Sequence, residues 1–243
     1  MTHHLFLILR FVNLVQYSEE TLYNVYKTRP IPEKYSFLYE TEFYPLYFNR
    51  IDKYKFVTFT INGKLYISIG GKSPDTKILR NSLISKVGMG LDKHNSCTVH
   101  EIPYNYLKLA FDDIKSQLDS FFNLYPEGEV EFCGYCTGGA VANIATARFQ
   151  YVYPFNNFHC TTFGSFKPGG ISLMKQLNSF PGRIQNFVLK GDKISSLPPK
   201  DQGYIMPKMV IISRGRFLDS ITRERKYSFV DYIGSMKKCS FLV

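Results

Sequence analysis

The stretch Phe132-Cys133-Gly134-Tyr135-Cys136-Thr137-Gly138-Gly139-Ala140-Val141-Ala142 decides the fold of this chain. Glu129–Phe132 reads as a short strand, Gly138–Gln150 as a helix that opens on small residues, and the tight turn between them holds one nucleophile-type side chain. Gly134 and Gly138 stand two residues before and two after Cys136, where they leave room for a strained strand-to-helix turn between sheet and helix. Such a turn lifts Cys136 to the top of the sheet and aims the Thr137 N–H at a developing oxyanion. The start of the following helix adds the positive end of its dipole at the same place.

Outward from this turn, strands and helices alternate. Lys55–Thr60 and Lys64–Ile69 are β-rich runs joined by Asn62-Gly63, the strongest short-range hairpin signal. A loop, Gly70-Gly71-Lys72-Ser73-Pro74, follows; residues 76–87 read as a short helix, and residues 88–97 as a flap without regular structure. Apolar residues at Leu107, Ala110, Phe111, Ile114, Leu118, Phe121 and Phe122 make Pro103–Leu124 an amphipathic helix. Phe158–Phe163 reads as a strand, Ile171–Leu177 as a helix, and Ile184–Leu189 as a strand running into Lys190-Gly191-Asp192. The N-terminal segment through Phe11, Val12, Leu14, Val15 and Leu22 reads as a buried first helix, because Arg10 interrupts its apolar run and no cleavage site follows. Residues 29–50, with Pro30, Pro32 and Pro45, read as an aromatic-rich connection. The alternation predicts one α/β domain over residues 1–243, with a mainly parallel sheet and helices on both faces.

These residues resemble the class 3 (fungal-type) lipase family, whose elbow reads G-x-S-x-G-G-A-x-A; Cys136 stands where the family has its serine. The similarity continues in order. Ile69-Gly70-Gly71-Lys72 is similar to the family's F-R-G-[TS] oxyanion loop, and Val99-His100 to the V-H pair after the lid. Thr162-Phe163-Gly164-Ser165-Phe166-Lys167-Pro168-Gly169 resembles T-F-G-x-P-x-x-G, and Asp192 in Gly191-Asp192-Lys193-Ile194-Ser195-Ser196-Leu197-Pro198-Pro199 resembles the D-x-V-x-x-L-P-P acid. The resemblance implies an α/β-hydrolase fold, Cys136 and Asp192 at the nucleophile and acid positions, Thr137 and Lys72 at the oxyanion hole, and no cofactor or metal.

The departures imply lost hydrolysis. The family's basic histidine lies C-terminal to its acid, and the matching positions here are Met206 or Tyr227; no histidine follows His159. His159 begins its strand five residues before Gly164, roughly 16 Å from the active edge at strand rise. His3 and His4 are terminal and His94 lies in the flap, so His100 is the one candidate substitute base. With nucleophile, base and oxyanion hydroxyl all changed, the expectation is a pseudoenzyme that binds a lipid or a protein partner. The enzyme alternative is a thiol acyl hydrolase or acyltransferase built on Cys136.

Other readings are weaker. Cys133-Gly134-Tyr135-Cys136 is also a C-x-x-C redox pattern, but the hydrolase elbow continues through Gly138-Gly139-Ala140, and Cys133 reads as a small apolar residue at a strand end. A zinc site from Cys133, Cys136, His159 and Cys160 fails because neighbours on a strand point to opposite faces. Gly71-Lys72-Ser73 lacks the earlier glycine of a phosphate-binding loop, Tyr66 standing there instead. Met206 and Met209 read as core or pocket lining. A formal charge of +10 over 243 residues favours an anionic membrane surface over nucleic acid, for which no reading module is present. Five cysteines, an odd count, and no Asn-x-Ser/Thr sequon fit an intracellular monomer or weak oligomer with free thiols.

Overall fold

Asn62 and Gly63 both adopt positive φ (50° and 70°), the geometry a two-residue hairpin needs. They join β1 (Phe56–Ile61) to β2 (Lys64–Ile69), paired antiparallel from Phe56↔Ile69 to Ile61↔Lys64. The computed structural model describes residues 5, 8, 12, 56–71, 79, 84–88, 96–212 and 227–239.

Beyond β2 the sheet is parallel. It has the order β1-β2-β5-β6-β7-β8, with β5 Glu129–Tyr135, β6 Phe158–Phe163, β7 Ile184–Leu189 and β8 Met209–Ile212. Among the described residues, the α-helices with complete bounds are, in chain order, α1 (Glu101–Leu124), α2 (Thr137–Val152), α3 (Ile171–Ser179) and α4 (Phe229–Cys239). Because side chains alternate along each strand, the sheet feeds two cores. One holds Phe56, Leu65, Ile67, Val130, Phe132, Phe158 and Cys160 against Ile114, Val141, Ile144 and Leu173 of α1–α3. The other holds Val57, Phe59, Cys133, Tyr135, Phe163, Phe187 and Leu189 against Phe229, Tyr232 and Met236 of α4. Leu5, Ile8 and Val12 are helical at spacings of three and four, and Ile8 and Val12 are buried in this second core, as expected of a first helix.

The region before α1 corrects the sequence reading. Leu79 is helical, but Ile84–Gly88 is a strand (β3) rather than the end of a 76–87 helix. It pairs antiparallel with β4 (Ser96–His100), whose start lies in the stretch assigned no structure. The antiparallel pairing with its neighbour in sequence supplies the order that each five-residue run lacks alone. β8 and α4 were not assigned from the sequence. Met209 is 49% exposed on the edge strand, which corrects its reading as core or lining.

Candidate functional site

The elbow forms as its glycines dictate. Cys136 adopts φ 54°, ψ −113°, a strained conformation for a residue with a Cβ, between the last residue of β5 and the first of α2. Its N–H donates to Phe163 O (3.0 Å) and its carbonyl accepts from Ala140 N–H (3.1 Å), tying the turn to β6 and to α2. A Cβ on Gly134 would lie 2.4 Å from Gly138 C, and one on Gly138 2.0 Å from Ile69 O. Sheet, helix and β2 loop therefore meet at backbone distance. Cys136 is buried in the α4-side core.

Thr137 is the first residue of α2, and first-turn amides lie outside the helix's own hydrogen-bond ladder. The Gly70-Gly71 loop rests on this turn: a Cβ on Gly71 would be 3.0 Å from Thr137 Cβ and 3.1 Å from Gly138 N. The Tyr106 hydroxyl of α1 donates to Gly70 O and fixes the loop from behind. Lys72, the expected second oxyanion contributor, lies outside the described residues, as do His94 and most of the flap.

Asp192 follows β7 at the same sheet edge, where it is buried. Its Oδ1 accepts from Ile194 N–H (3.0 Å) and its Oδ2 from the Tyr232 hydroxyl (2.5 Å). Burial pushes this carboxyl above its usual range, while the donors from Tyr232 and from the Ile194 and Tyr227 amides pull the other way. Tyr232 in turn accepts from Leu189 N–H (3.1 Å), and its burial drives the phenol far up. Gly164, at φ 54°, leaves the space that this ring uses; a Cβ there would be 2.9 Å from Tyr232 Cε2.

The two positions matched to the family base hold no imidazole. Tyr227 is buried near the acid, with its hydroxyl donating to Lys190 O (3.4 Å) and its carbonyl accepting from Tyr135 OH (2.7 Å). Met206 is half-buried beside the Ile205↔Gly169 bridge. Phe229, the first residue of α4, lays its ring against Tyr135 (5.1 Å) and Phe163 (6.1 Å), which end β5 and β6. His100 is the N-cap of α1: its Nδ1 accepts from Ile102 N–H (3.2 Å), and its ring packs on Phe166 (5.0 Å) and Tyr204 (5.3 Å). Its burial lowers the imidazole to about 4. With Nδ1 accepting, the proton sits on Nε2, which is buried and meets no acceptor among the described residues. His159 lies at the opposite end of β6, where Nδ1 accepts from Arg183 N–H (2.8 Å) and Nε2 is 3.4 Å from Glu129.

Sequence reasoning missed Tyr232, Phe229 and Tyr106. Phe229, Tyr232 and Met236 repeat at i, i+3, i+7, the stripe of a core-facing helix, so α4 was readable. That Tyr232 would meet the acid was not, because forty residues separate them.

A buried residue on a strand–helix elbow, with an acid after a later parallel strand, defines an α/β-hydrolase scaffold. The family Lipase (class 3) matches residues 66–202, and the chain belongs to that family. The sequence finds no significant match among curated proteins. Among solved structures it is similar to the lipase of Rhizopus microsporus var. chinensis, at 15% identity and TM-score 0.63, covering 74% of this chain and 64% of that one. The chain thus spans under two thirds of that lipase. It is also similar to MDLA of Penicillium cyclopium, at 17% identity, TM-score 0.68 and 89% and 82% coverage. A Rhizomucor miehei lipase propeptide complex gives 15% identity, TM-score 0.67 and 87% and 69% coverage. At these identities the likeness is one of fold.

Proposed function

We propose that this protein is a non-hydrolytic member of its family that acts by binding, with an anionic lipid surface as its partner. The observation that carries this reading is the state of Asp192. Both carboxylate oxygens accept hydrogen bonds from α4 and from the loop after β7, and the sequence offers no histidine beyond His159 to receive the acid's orientation. Asp192 here clamps a loop and a helix. His100, the candidate substitute, uses its lone-pair nitrogen to cap α1. A formal charge of +10 supports attraction to anionic headgroups. Among the described residues no helix is long and apolar enough to cross a membrane.

The alternative, a Cys136 acyl hydrolase or acyltransferase, is favoured by one observation: the elbow keeps its positive φ at a thiol-bearing residue. A redox role for Cys133 and Cys136 fits less well. Cys133 is fully buried, and burial pushes its thiol well above the ordinary range. Turnover of p-nitrophenyl butyrate separates the readings. The wild type should stay at background and match Cys136→Ala and His100→Ala; turnover abolished by Cys136→Ala would overturn the binding reading. Flotation with phosphatidylserine-containing vesicles should carry the protein upward at low salt, and neutral vesicles should not.

A further inference from the structure

Among the described residues, strand β8 closes the sheet, hydrogen-bonded to β7 on one side only. All four of its residues are apolar, yet Met209, Val210 and Ile211 are 49%, 38% and 60% exposed. Only Ile212 reaches the core. Alternation puts Met209 and Ile211 on the face that α1–α3 cover over the inner strands, and at this edge they stay open. Edge strands are usually blunted by an inward charge, a proline or a bulge. None interrupts Met209–Ile212, so the outer N–H and C=O groups of β8, which have no partner among the described residues, form a template for another strand.

The charge around the strand selects what fits. Lys208, exposed, stands at its start, where its carbonyl accepts from Asn186 N–H (3.1 Å). Lys190, also exposed, stands at its end, where its N–H donates to Ile212 O (3.0 Å). From Gly203 through Leu218 the sequence holds no carboxylate. A second copy on this edge would bring together molecules that each carry a formal charge of +10. Like net charge opposes self-pairing, and Lys208 favours an acidic partner.

We propose that β8 is a docking edge for an extended protein segment, apolar at alternate positions and acidic at the flank that meets Lys208, which adds as a further strand to the sheet. The main-chain ladder supplies affinity, Met209 and Ile211 receive the alternate side chains, and Lys208 reads the acidic flank. This holds whether or not Cys136 can be acylated.

The test uses the full chain and fluorescein-labelled peptides followed by fluorescence anisotropy. The peptide DEVTVTVED should bind saturably. Its analogue N-methylated at every central amide should not bind, and KKVTVTVKK should bind at least about fivefold more weakly. Lys208→Glu should erase or invert that charge preference, and Ile211→Lys, a change at an exposed position, should abolish binding while circular dichroism stays native. Absence of DEVTVTVED binding, equal binding of the N-methylated analogue, or indifference to Lys208→Glu would each overturn the proposal. So would a concentration-dependent dimer in sedimentation that Ile211→Lys dissolves, because the edge would then belong to a second copy.

Discussion

Replacing Tyr232 by phenylalanine removes one oxygen and leaves the ring, so no cavity opens and the effect isolates the polar contacts. That oxygen donates to Asp192 Oδ2 at 2.5 Å and accepts from Leu189 N–H at 3.1 Å, in a residue with 0% exposure. Its loss strands two buried groups, a carboxylate oxygen and an amide. Each unsatisfied buried group costs about 1–3 kcal/mol, the charged one toward the upper end. We expect Tyr232→Phe to destabilise by about 3 kcal/mol, a large share of the roughly 5–15 kcal/mol that holds a typical domain folded. Asp192→Asn should be cheaper in the Tyr232→Phe background than alone, with a coupling of about 1 kcal/mol or more. Urea unfolding followed by far-UV circular dichroism measures all four corners of the cycle. A loss under about 0.5 kcal/mol, or strictly additive changes, would refute the view that Asp192 serves as the anchor of α4.

Three further outcomes follow from other sites. His100 takes a proton near pH 6.5 when unfolded but only near 4 when folded, so between those values the unfolded state binds more protons and stability falls as pH falls. The fall should reach about 3 kcal/mol; His100→Asn, which keeps a capping side chain, should flatten it in urea midpoints taken across that window, and an unchanged slope would show that another group is responsible. Gly138→Ala places a Cβ 2.0 Å from the main-chain Ile69 O and should cost more than about 4 kcal/mol, whereas Gly234→Ala in α4, with nothing within 4 Å, should stabilise by about 0.5–1 kcal/mol; paired thermal melts compare them. Cys97, Cys133, Cys136 and Cys160 are buried thiols outside any disulfide, with the Cys97 thiol pushed up to about 11. They should react with Ellman's reagent only on unfolding, and rapid labelling of Cys136 in the native protein would contradict its burial.

Much of the scaffold was legible because its signals are local. Lys64–Ile69, Phe158–Phe163 and Ile184–Leu189 are bounded by turn residues and form strands over those same residues. The helix before the elbow begins at Glu101 rather than Pro103 because His100 caps it, and a histidine cap has no strong sequence signature. β3 and β4 were missed for a different reason: each five-residue strand draws its order from the other, and no Asn-Gly or Asp-Gly turn between them declares the pairing. At the site, Cys136, Thr137 and Asp192 could be placed by motif. The hydrogen bonds of Asp192 could not, since Tyr232 reaches it only through the path of α4 across the sheet edge.

The close approach of Gly134, Gly138 and Ile69 has a consequence for heredity. A Cβ at either glycine would strike main-chain atoms whatever side chain stands at 136, so sterics alone forbid their replacement. Selection for folding alone would therefore preserve the spelling of the motif even where selection for turnover is relaxed, and the nucleophile can drift while its frame cannot. A signature built on these glycines reports ancestry and architecture, and whether a given descendant still cleaves esters must be read from the side chains the glycines leave free to vary.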